Sequence, residues 1–220
     1  MFDFVSIDFE TADKYIPCSL GLTVVENSQI VCTKNWLIKP ICFPYFHFYA
    51  QKIHGIHKED VESKPEFNQL WHEIEPYLYD KIIIAHNASF DINVLRKTLL
   101  HYGIPKPKAR YLCTYQLSRI VWKESTKFSL DHLCNQENIT LNHHKAESDA
   151  EACARLFLRE AEILEANNFY ELKQNAENQF QKHKQHIHLK QKYQYLKLQD
   201  MYFRQEKMKK VVHQNLISNE

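Results

Sequence analysis

Largely apolar runs mark the strands that the chain buries. Residues 2–9 form one such run and residues 81–85 (KIIIA) another, and runs of this kind are typical of strands covered on both faces. Two β-branched runs, residues 20–25 and 30–38, are separated by the turn-type sequence ENSQ, which predicts a β-hairpin. Residues 111–114 are a candidate for a short last strand.

Apolar residues at helical spacing predict the helices. One clear repeat precedes KIIIA and consists of Phe67, Leu70, Trp71, Ile74 and Leu78. Further helices are predicted directly after KIIIA, near 115–121 and 129–134, and most clearly at 147–166, whereas 40–65 is expected to be a loop with short helical pieces. A hairpin followed by strands that alternate with helices indicates an α/β domain, with a mixed central sheet flanked by helices.

The charge distribution separates the C-terminal part of the chain from the rest. Residues 176–220 carry nine Lys/Arg against four Asp/Glu, whereas the preceding residues carry 19 against 23. The same segment is rich in Gln, Lys, His and Tyr and has no Gly or Pro, so it predicts a basic helix. We expect one globular domain at 1–170 and a basic helical C-terminal extension at 171–220, with an apolar stripe between residues 189 and 203.

Composition and short motifs exclude several classes of protein. The chain has three Gly and no GxGxxG or GxxxxGK[ST] pattern, which argues against a Gly-rich phosphate loop. Six cysteines without a CxxC pair favour a reduced compartment, and we expect a cytoplasmic location. The start MFDFVSIDFE lacks the basic flank of a signal peptide, and no 18-residue apolar run predicts a membrane span.

Two carboxylates share one face of the first predicted strand. Asp8 and Glu10 are two residues apart, so both side chains point to the same side of the strand. Neighbouring carboxylates on an apolar strand repel each other and lose hydration, and a hard divalent cation such as Mg²⁺ or Mn²⁺ compensates for both effects. The alternative is that one of them is an exposed acid at the end of a strand.

Two further acids lie in the first turns of predicted helices. Asp91 follows KIIIA, at the edge where open α/β sheets collect ligand groups, although an acid there also stabilises the helix dipole without any ligand. Asp149 begins the helix at 147–166, and His144 precedes it on a short lead-in. Taken alone, His144 is one of 13 histidines and suits a surface position, and we expect its neighbour His143 to be an exposed loop residue.

Together these elements resemble the motifs of a known enzyme family. FETA around Asp8 and Glu10, HNASFD ending at Asp91, and H-x-A-x-x-D from His144 to Asp149 are similar, in order and spacing, to the three motifs of the DEDDh exonucleases. These enzymes are DnaQ-like relatives of the proofreading epsilon subunit of bacterial DNA polymerase III. The segments PCSLG (17–21), IHGI (53–56) and FSL (128–130) match as well, so the resemblance covers about residues 1–165.

The resemblance implies a ribonuclease H-like exonuclease fold and a metal-dependent 3′–5′ exonuclease, which releases nucleoside 5′-monophosphates from the 3′ end of DNA. It implies that four carboxylates hold two Mg²⁺ or Mn²⁺ ions and that one histidine is the general base; these residues are Asp8, Glu10, Asp91, Asp149 and His144. Phe9, Thr11 and Asn87 lie beside the acids and are candidates for contact with the terminal nucleotide. An inward core position suits Phe9 equally well.

The substrate and the partners stay open on sequence grounds. Single-stranded or frayed 3′ ends of DNA are the expected substrate, in proofreading or repair, and a 3′–5′ exoribonuclease of the RNase T or oligoribonuclease type is the alternative. A third hypothesis is a subunit of a polymerase complex whose main role is binding. The extension is a candidate for contact with a polymerase, with a second copy of the chain or with phosphates, and no membrane partner is expected.

Overall fold

A five-stranded mixed sheet forms the centre of the fold. The computed structural model describes residues 1–186, and the side chains of residues 1–181. The strands are β1 (Phe4–Asp13), β2 (Ile16–Glu26), β3 (Gln29–Leu37), β4 (Ile82–Ala85) and β5 (Arg110–Cys113). In the order β3-β2-β1-β4-β5, β1 to β3 are antiparallel and β4 and β5 run parallel to β1. The predicted hairpin and mixed sheet are confirmed, and β1 is the central strand.

Helices cover both faces of the sheet. In the described part of the chain they are α1 (Phe48–His54), α2 (Lys58–Val61), α3 (Phe67–Leu78), α4 (Ser89–His101), α5 (Thr114–Val121), α6 (Leu130–Gln136), α7 (Ala146–Ile163) and α8 (Phe169–His186). The segment 40–65 contains the two short helices α1 and α2, as expected for a loop with helical pieces. The α/β fold class is therefore confirmed.

The alternating side chains of β1 divide the core into two layers. Ile7 and Phe9 point into the cluster that α3 and α4 cover, whereas Phe4 points into the cluster that α5, α7 and α8 cover. Because the alternation has a period of two, Asp8 and Glu10 share the face of Phe4. Both carboxylates therefore lie on the side of the sheet that α7 covers.

The first turns of α7 lie directly against the sheet. The Ser6 hydroxyl on β1 donates a hydrogen bond of 2.6 Å to the Ala150 carbonyl on α7. Gly21 on β2 pairs with Asp8 and faces Ala146, the first residue of α7, with backbone close to backbone. Only a residue without a side chain allows α7 to begin at this distance from β2.

The C-terminal extension starts within the packed structure. The last described helix, α8, begins at Phe169, and its residues Leu172 and Ala176 are buried in the cluster shared with α5 and α7. The boundary expected between residues 170 and 171 therefore falls inside α8. The apolar stripe expected between residues 189 and 203 lies outside the described residues. Within the described part of the chain, no helix has the length and apolar character that crossing a membrane requires.

Candidate active site

The central strand, β1, extends past the end of β4, and the site lies beside the part of β1 that β4 does not cover. Ser6 on β1 lies opposite Ile84 on β4, and β4 ends at Ala85, so β4 stops before it reaches Asp8. The chain then turns into α4 beside the uncovered part of β1. Glu10 is only 9% exposed, and therefore neither strand carboxylate is a freely exposed acid at the end of a strand.

Asp91, in the first turn of α4, reaches across to β1. Its Oδ1 accepts a hydrogen bond of 3.0 Å from the backbone N–H of Phe9, and the residue is 2% exposed. The Phe9 amide lies between the two strand carboxylates along β1, so this bond fixes Asp91 beside Asp8 and Glu10. If Asp91 only stabilised the dipole of α4, it would not need this hydrogen bond to β1.

The fourth carboxylate comes from α7, far along the sequence from β1. Asp149 lies in the first turn of α7 and is 3% exposed. One oxygen atom each from Asp149, Asp8 and Glu10 lie within 4.8 Å of one another. Carboxylates at this spacing can bind a common cation. The structure thus brings together the acids of all three predicted motifs.

Burial raises the pKa of all four carboxyl groups, and repulsion from neighbouring acids adds to this for Asp8, Glu10 and Asp91. For Asp8, burial is the largest cause, followed by repulsion from Asp91, Asp149 and Glu10, and its pKa lies well above the ordinary value. Burial raises the pKa of Glu10 to about 7 and that of Asp91 to about 8. The pKa of Asp149 is raised as well, with burial the main cause. Charged carboxylates in this cluster need a cation, and an all-oxygen donor set fits Mg²⁺ or Mn²⁺.

The loop before α7 places two histidines against Asp149. His144 has a left-handed backbone, with φ of 65°, and its N–H donates to Asp149 Oδ2 at 2.8 Å. His143 Nδ1 lies 3.0 Å from Asp149 Oδ1, and the two imidazole rings stack with their centroids 3.8 Å apart. Burial, followed by repulsion from His143, lowers the pKa of His144. His143 is exposed, as expected, but its ring contacts a site carboxylate and so it is not a free loop residue.

His86 links the turn between β4 and α4 to two other segments of the chain, and the sequence interpretation gave it no role. Its Nδ1 lies 2.9 Å from the Thr114 hydroxyl, and its Nε2 lies 2.8 Å from the Phe128 carbonyl. The Nε2–H therefore donates to the carbonyl and Nδ1 accepts from the hydroxyl, as a neutral ring requires. Burial lowers the pKa of His86 to about 4, which agrees with this neutral form. A histidine directly after a buried strand, at the start of HNASFD, was the available signal.

The three residues expected beside the terminal nucleotide have different environments. Phe9 is 3% exposed and lies in the cluster under α3 and α4, so its side chain takes the inward core position and does not face the carboxylates. Thr11 is half-buried on β1, and its carbonyl oxygen lies 3.2 Å from His54 Nε2. Asn87 is exposed, with a left-handed backbone at φ of 61°. Asn87 and Thr11 thus keep side chains that a ligand can reach.

The mixed sheet, with acids of α4 and α7 brought beside the carboxylates of its central strand, is a ribonuclease H-like fold with a cluster of carboxylates that could hold a metal. A model of the RNase_T exonuclease family matches residues 5–157. The chain belongs to this exonuclease family, and the predicted resemblance to the DEDDh exonucleases is confirmed.

Relatives of known sequence and structure agree with this assignment. The 3′-5′ exonuclease DinG of Staphylococcus aureus (strain USA300) is 28% identical over 180 residues, which cover 79% of this chain and 20% of that protein. The chain therefore spans about a fifth of the length of the DinG proteins that it matches.

Two solved structures share the fold. Exonuclease X in complex with 5′ overhanging duplex DNA superposes with a TM-score of 0.60 at 24% identity, covering 72% of this chain and 91% of that one. The nuclease domain of 3′hExo, a DEDDh family member bound to rAMP, gives a TM-score of 0.62 at 13% identity, covering 73% and 92%. The ribonuclease H-like exonuclease fold is therefore confirmed.

Proposed function

We propose that the chain is a metal-dependent 3′–5′ exonuclease that removes nucleoside 5′-monophosphates from the 3′ end of DNA. The observation that carries the proposal is the meeting of four buried carboxylates from β1, α4 and α7, all with raised pKa values. Membership of the exonuclease family supports the same chemistry. The match and the site both lie within residues 1–170, which we assign as the exonuclease domain, with 171–220 as its extension.

The carboxylates would hold two divalent cations, Mg²⁺ or Mn²⁺, which when bound neutralise charge on the phosphate and favour ionisation of water. The ligands would be Asp8, Glu10, Asp91 and Asp149. The backbone N–H of Phe9 keeps one oxygen of Asp91 turned towards β1, which leaves the other for the site. The close approach of α7 to β2 keeps Asp149 within reach of the strand carboxylates.

His144 would accept the proton of the attacking water. A general base must be unprotonated, and the lowered pKa of His144 favours the neutral imidazole near pH 7. The base must also approach the reacting water, and a position on the loop before α7 places His144 beside Asp149 without burying it completely. Thr11 and Asn87 are proposed to contact the terminal nucleotide, whereas Phe9 contributes its backbone amide.

DNA is proposed as the substrate class, with RNA as the alternative that the experiment distinguishes. The solved structure with 24% identity is a complex with DNA, and the one with 13% identity contains rAMP. The decisive assay compares 5′-labelled DNA and RNA oligomers of one sequence, each with Mg²⁺, Mn²⁺ or EDTA. We expect stepwise shortening of DNA with either metal, and faster shortening of RNA would assign the chain to the exoribonucleases instead.

The basic extension is proposed to bind a polymerase, a second copy of the chain or the phosphates of a long substrate. Its net positive charge supports the last of these, because Lys and Arg release counterions from nucleic acid. A cytoplasmic location and a role in proofreading or repair stay predictions. Most of the extension's basic residues lie outside the described part of the chain.

A further inference from the structure

Lys145 connects the loop of the proposed base to the helix that carries Asp149. Its carbonyl oxygen accepts a hydrogen bond of 2.9 Å from the Asp149 N–H, so its backbone is fixed to the first turn of α7. The next residue, Ala146, approaches the backbone of Gly21, which pairs with Asp8 on β1. The backbone of Lys145 is thus held at the edge of the site, and its long side chain extends from there.

The charge of Lys145 acts on the open end of β1. It lowers the pKa of Glu10 on this strand and also that of His54, whose Nε2 lies 3.2 Å from the Thr11 carbonyl. The side chain is exposed, and among the described residues it forms no ion pair with a carboxylate. A cation close to the site therefore remains available to an anionic ligand.

The charge balance of the site leaves a bound phosphate without full compensation. The four carboxylates carry four negative charges, and the two divalent cations that we propose carry four positive ones. A phosphodiester adds a further negative charge, and more develops on its oxygens when water attacks the phosphorus atom. An ammonium group beside that phosphate stabilises both the bound substrate and the transition state.

We infer that Lys145 binds the phosphate of the nucleotide that is removed, with its ammonium group donating to a non-bridging oxygen. Because this phosphate stays on the released nucleotide, Lys145 binds the product nucleoside 5′-monophosphate as well. The role of the contact in hydrolysis rests on the proposed function, whereas the binding of the monophosphate can be measured without any reaction. An exposed and unpaired lysine can be replaced by a neutral side chain of similar length without disturbing the fold.

The binding is measured by calorimetry on the full chain, with Mg²⁺ at a saturating concentration for each protein. Thymidine 5′-monophosphate is the probe, because it contains no phosphodiester bond to cleave. We expect Lys145→Gln to bind it about five- to tenfold more weakly than the wild type, and Lys145→Arg to restore most of the affinity. Lys81→Gln, at an exposed lysine just before β4 and at the opposite end of the sheet, is the matched control. Equal affinity of Lys145→Gln and wild type, or no binding by the wild type, would overturn the inference.

Hydrolysis separates this inference from the proposed function. The kcat/KM of each protein is measured for the dinucleotide TpT, which has a single phosphodiester bond, and for a longer oligothymidylate. We expect Lys145→Gln to lose about 10- to 100-fold with both substrates, and a loss confined to the longer one would overturn the inference, because the contact would then be to another phosphate. If the monophosphate binds as expected but no metal supports hydrolysis, the proposed function fails and the contact stands. If Lys145→Gln cleaves both substrates as fast as the wild type, the contact is rejected and the exonuclease assignment stands.

Discussion

A Cβ atom on Gly21 would lie 1.9 Å from the carbonyl oxygen of Ala146, far closer than any real contact of a Cβ atom. Gly21 pairs with Asp8 across β1 and β2, and Ala146 precedes Asp149 by less than one helical turn. The closeness of these two backbones therefore sets the distance between carboxylates that belong to different elements. A glycine that is not one of the proposed ligands thus controls the geometry of the site.

Gly21→Ala is expected to reduce both stability and activity. The added methyl group must push α7 away from β2, which costs about 1–3 kcal/mol of the free energy of unfolding, as overpacking does. A displacement of about 1 Å at Asp149 is enough to lower turnover by about 10²-fold. Gly103→Ala is the control, since its Cβ meets no atom within 4 Å although φ is 64°. It should cost stability without loss of turnover, and equal turnover in both variants would contradict this role for Gly21.

Asp8→Asn is expected to abolish hydrolysis while leaving the metal-free protein at least as stable as the wild type. The Asp8 carboxyl is buried beside three other acids, so removing its charge relieves repulsion, and it also removes a metal ligand. The melting temperature should rise with millimolar Mg²⁺ or Mn²⁺ in the wild type, and less in the variant. Glu59→Gln, at an exposed acid of α2, is the control and should respond to metal as the wild type does.

His144→Ala should lower turnover by about 10²–10⁴-fold, the usual contribution of a general base, with metal binding little changed. The rate of the wild type should rise with pH through the titration of His144, and burial places this rise below the ordinary histidine pKa of about 6.5. Single-turnover rates between pH 5 and 9 measure both effects. If His143→Ala causes the loss and His144→Ala does not, the base is the other histidine.

Glu160 on α7 gives the domain a pH-dependent stability. It is fully buried, the Ser118 hydroxyl donates to its Oε1, and its Oε2 has no hydrogen-bond partner in the described structure. Burial holds its pKa well above the ordinary value, so its contribution to stability is complete below the unfolded pKa of about 4.3 and is lost as pH rises towards the folded pKa.

The glutamine in Glu160→Gln cannot ionise, so this variant should not lose stability in the same way as the pH rises. Its free energy of unfolding, relative to that of the wild type, should increase by up to about 1.4 kcal/mol for each pH unit above the unfolded pKa. Urea unfolding at pH 4.5 and pH 8 measures the change. The same difference between the two proteins at both pH values would show that Glu160 is ionised in the folded state.

The periodicity of the chain predicted which residues share a face, but not how closely the elements approach each other. Alternation along β1 was enough to place Asp8 and Glu10 together, and the helical pattern was enough to place Asp149 in a first turn. The bond from the Phe9 amide to Asp91 and the contact between Gly21 and α7 depend on backbone distances between separate elements. No local pattern contains those distances, so the structure was needed to find them.

Two histidines also show what the sequence could not predict, namely which groups their rings contact. His86 lies within HNASFD and His143 directly precedes the third motif, yet what each ring contacts depends on partners that are remote along the chain or on the shape of a short loop. His86 meets Thr114 and a carbonyl 42 residues away, and His143 meets Asp149 within a loop in which the backbone of His144 is left-handed. Spacing identified the motifs, and three-dimensional packing determined what each ring contacts.

The most direct test of the account is hydrolysis of a 5′-labelled single-stranded DNA by the wild type and by Asp149→Asn, a variant of nearly equal side-chain volume. With Mg²⁺ or Mn²⁺ the wild type should shorten the strand one nucleotide at a time from the 3′ end and release deoxynucleoside 5′-monophosphates, and EDTA should stop the reaction. Asp149→Asn should leave the strand intact under the same conditions. Shortening that persists in EDTA, or an active Asp149→Asn protein, would contradict a metal-dependent site built on these four carboxylates.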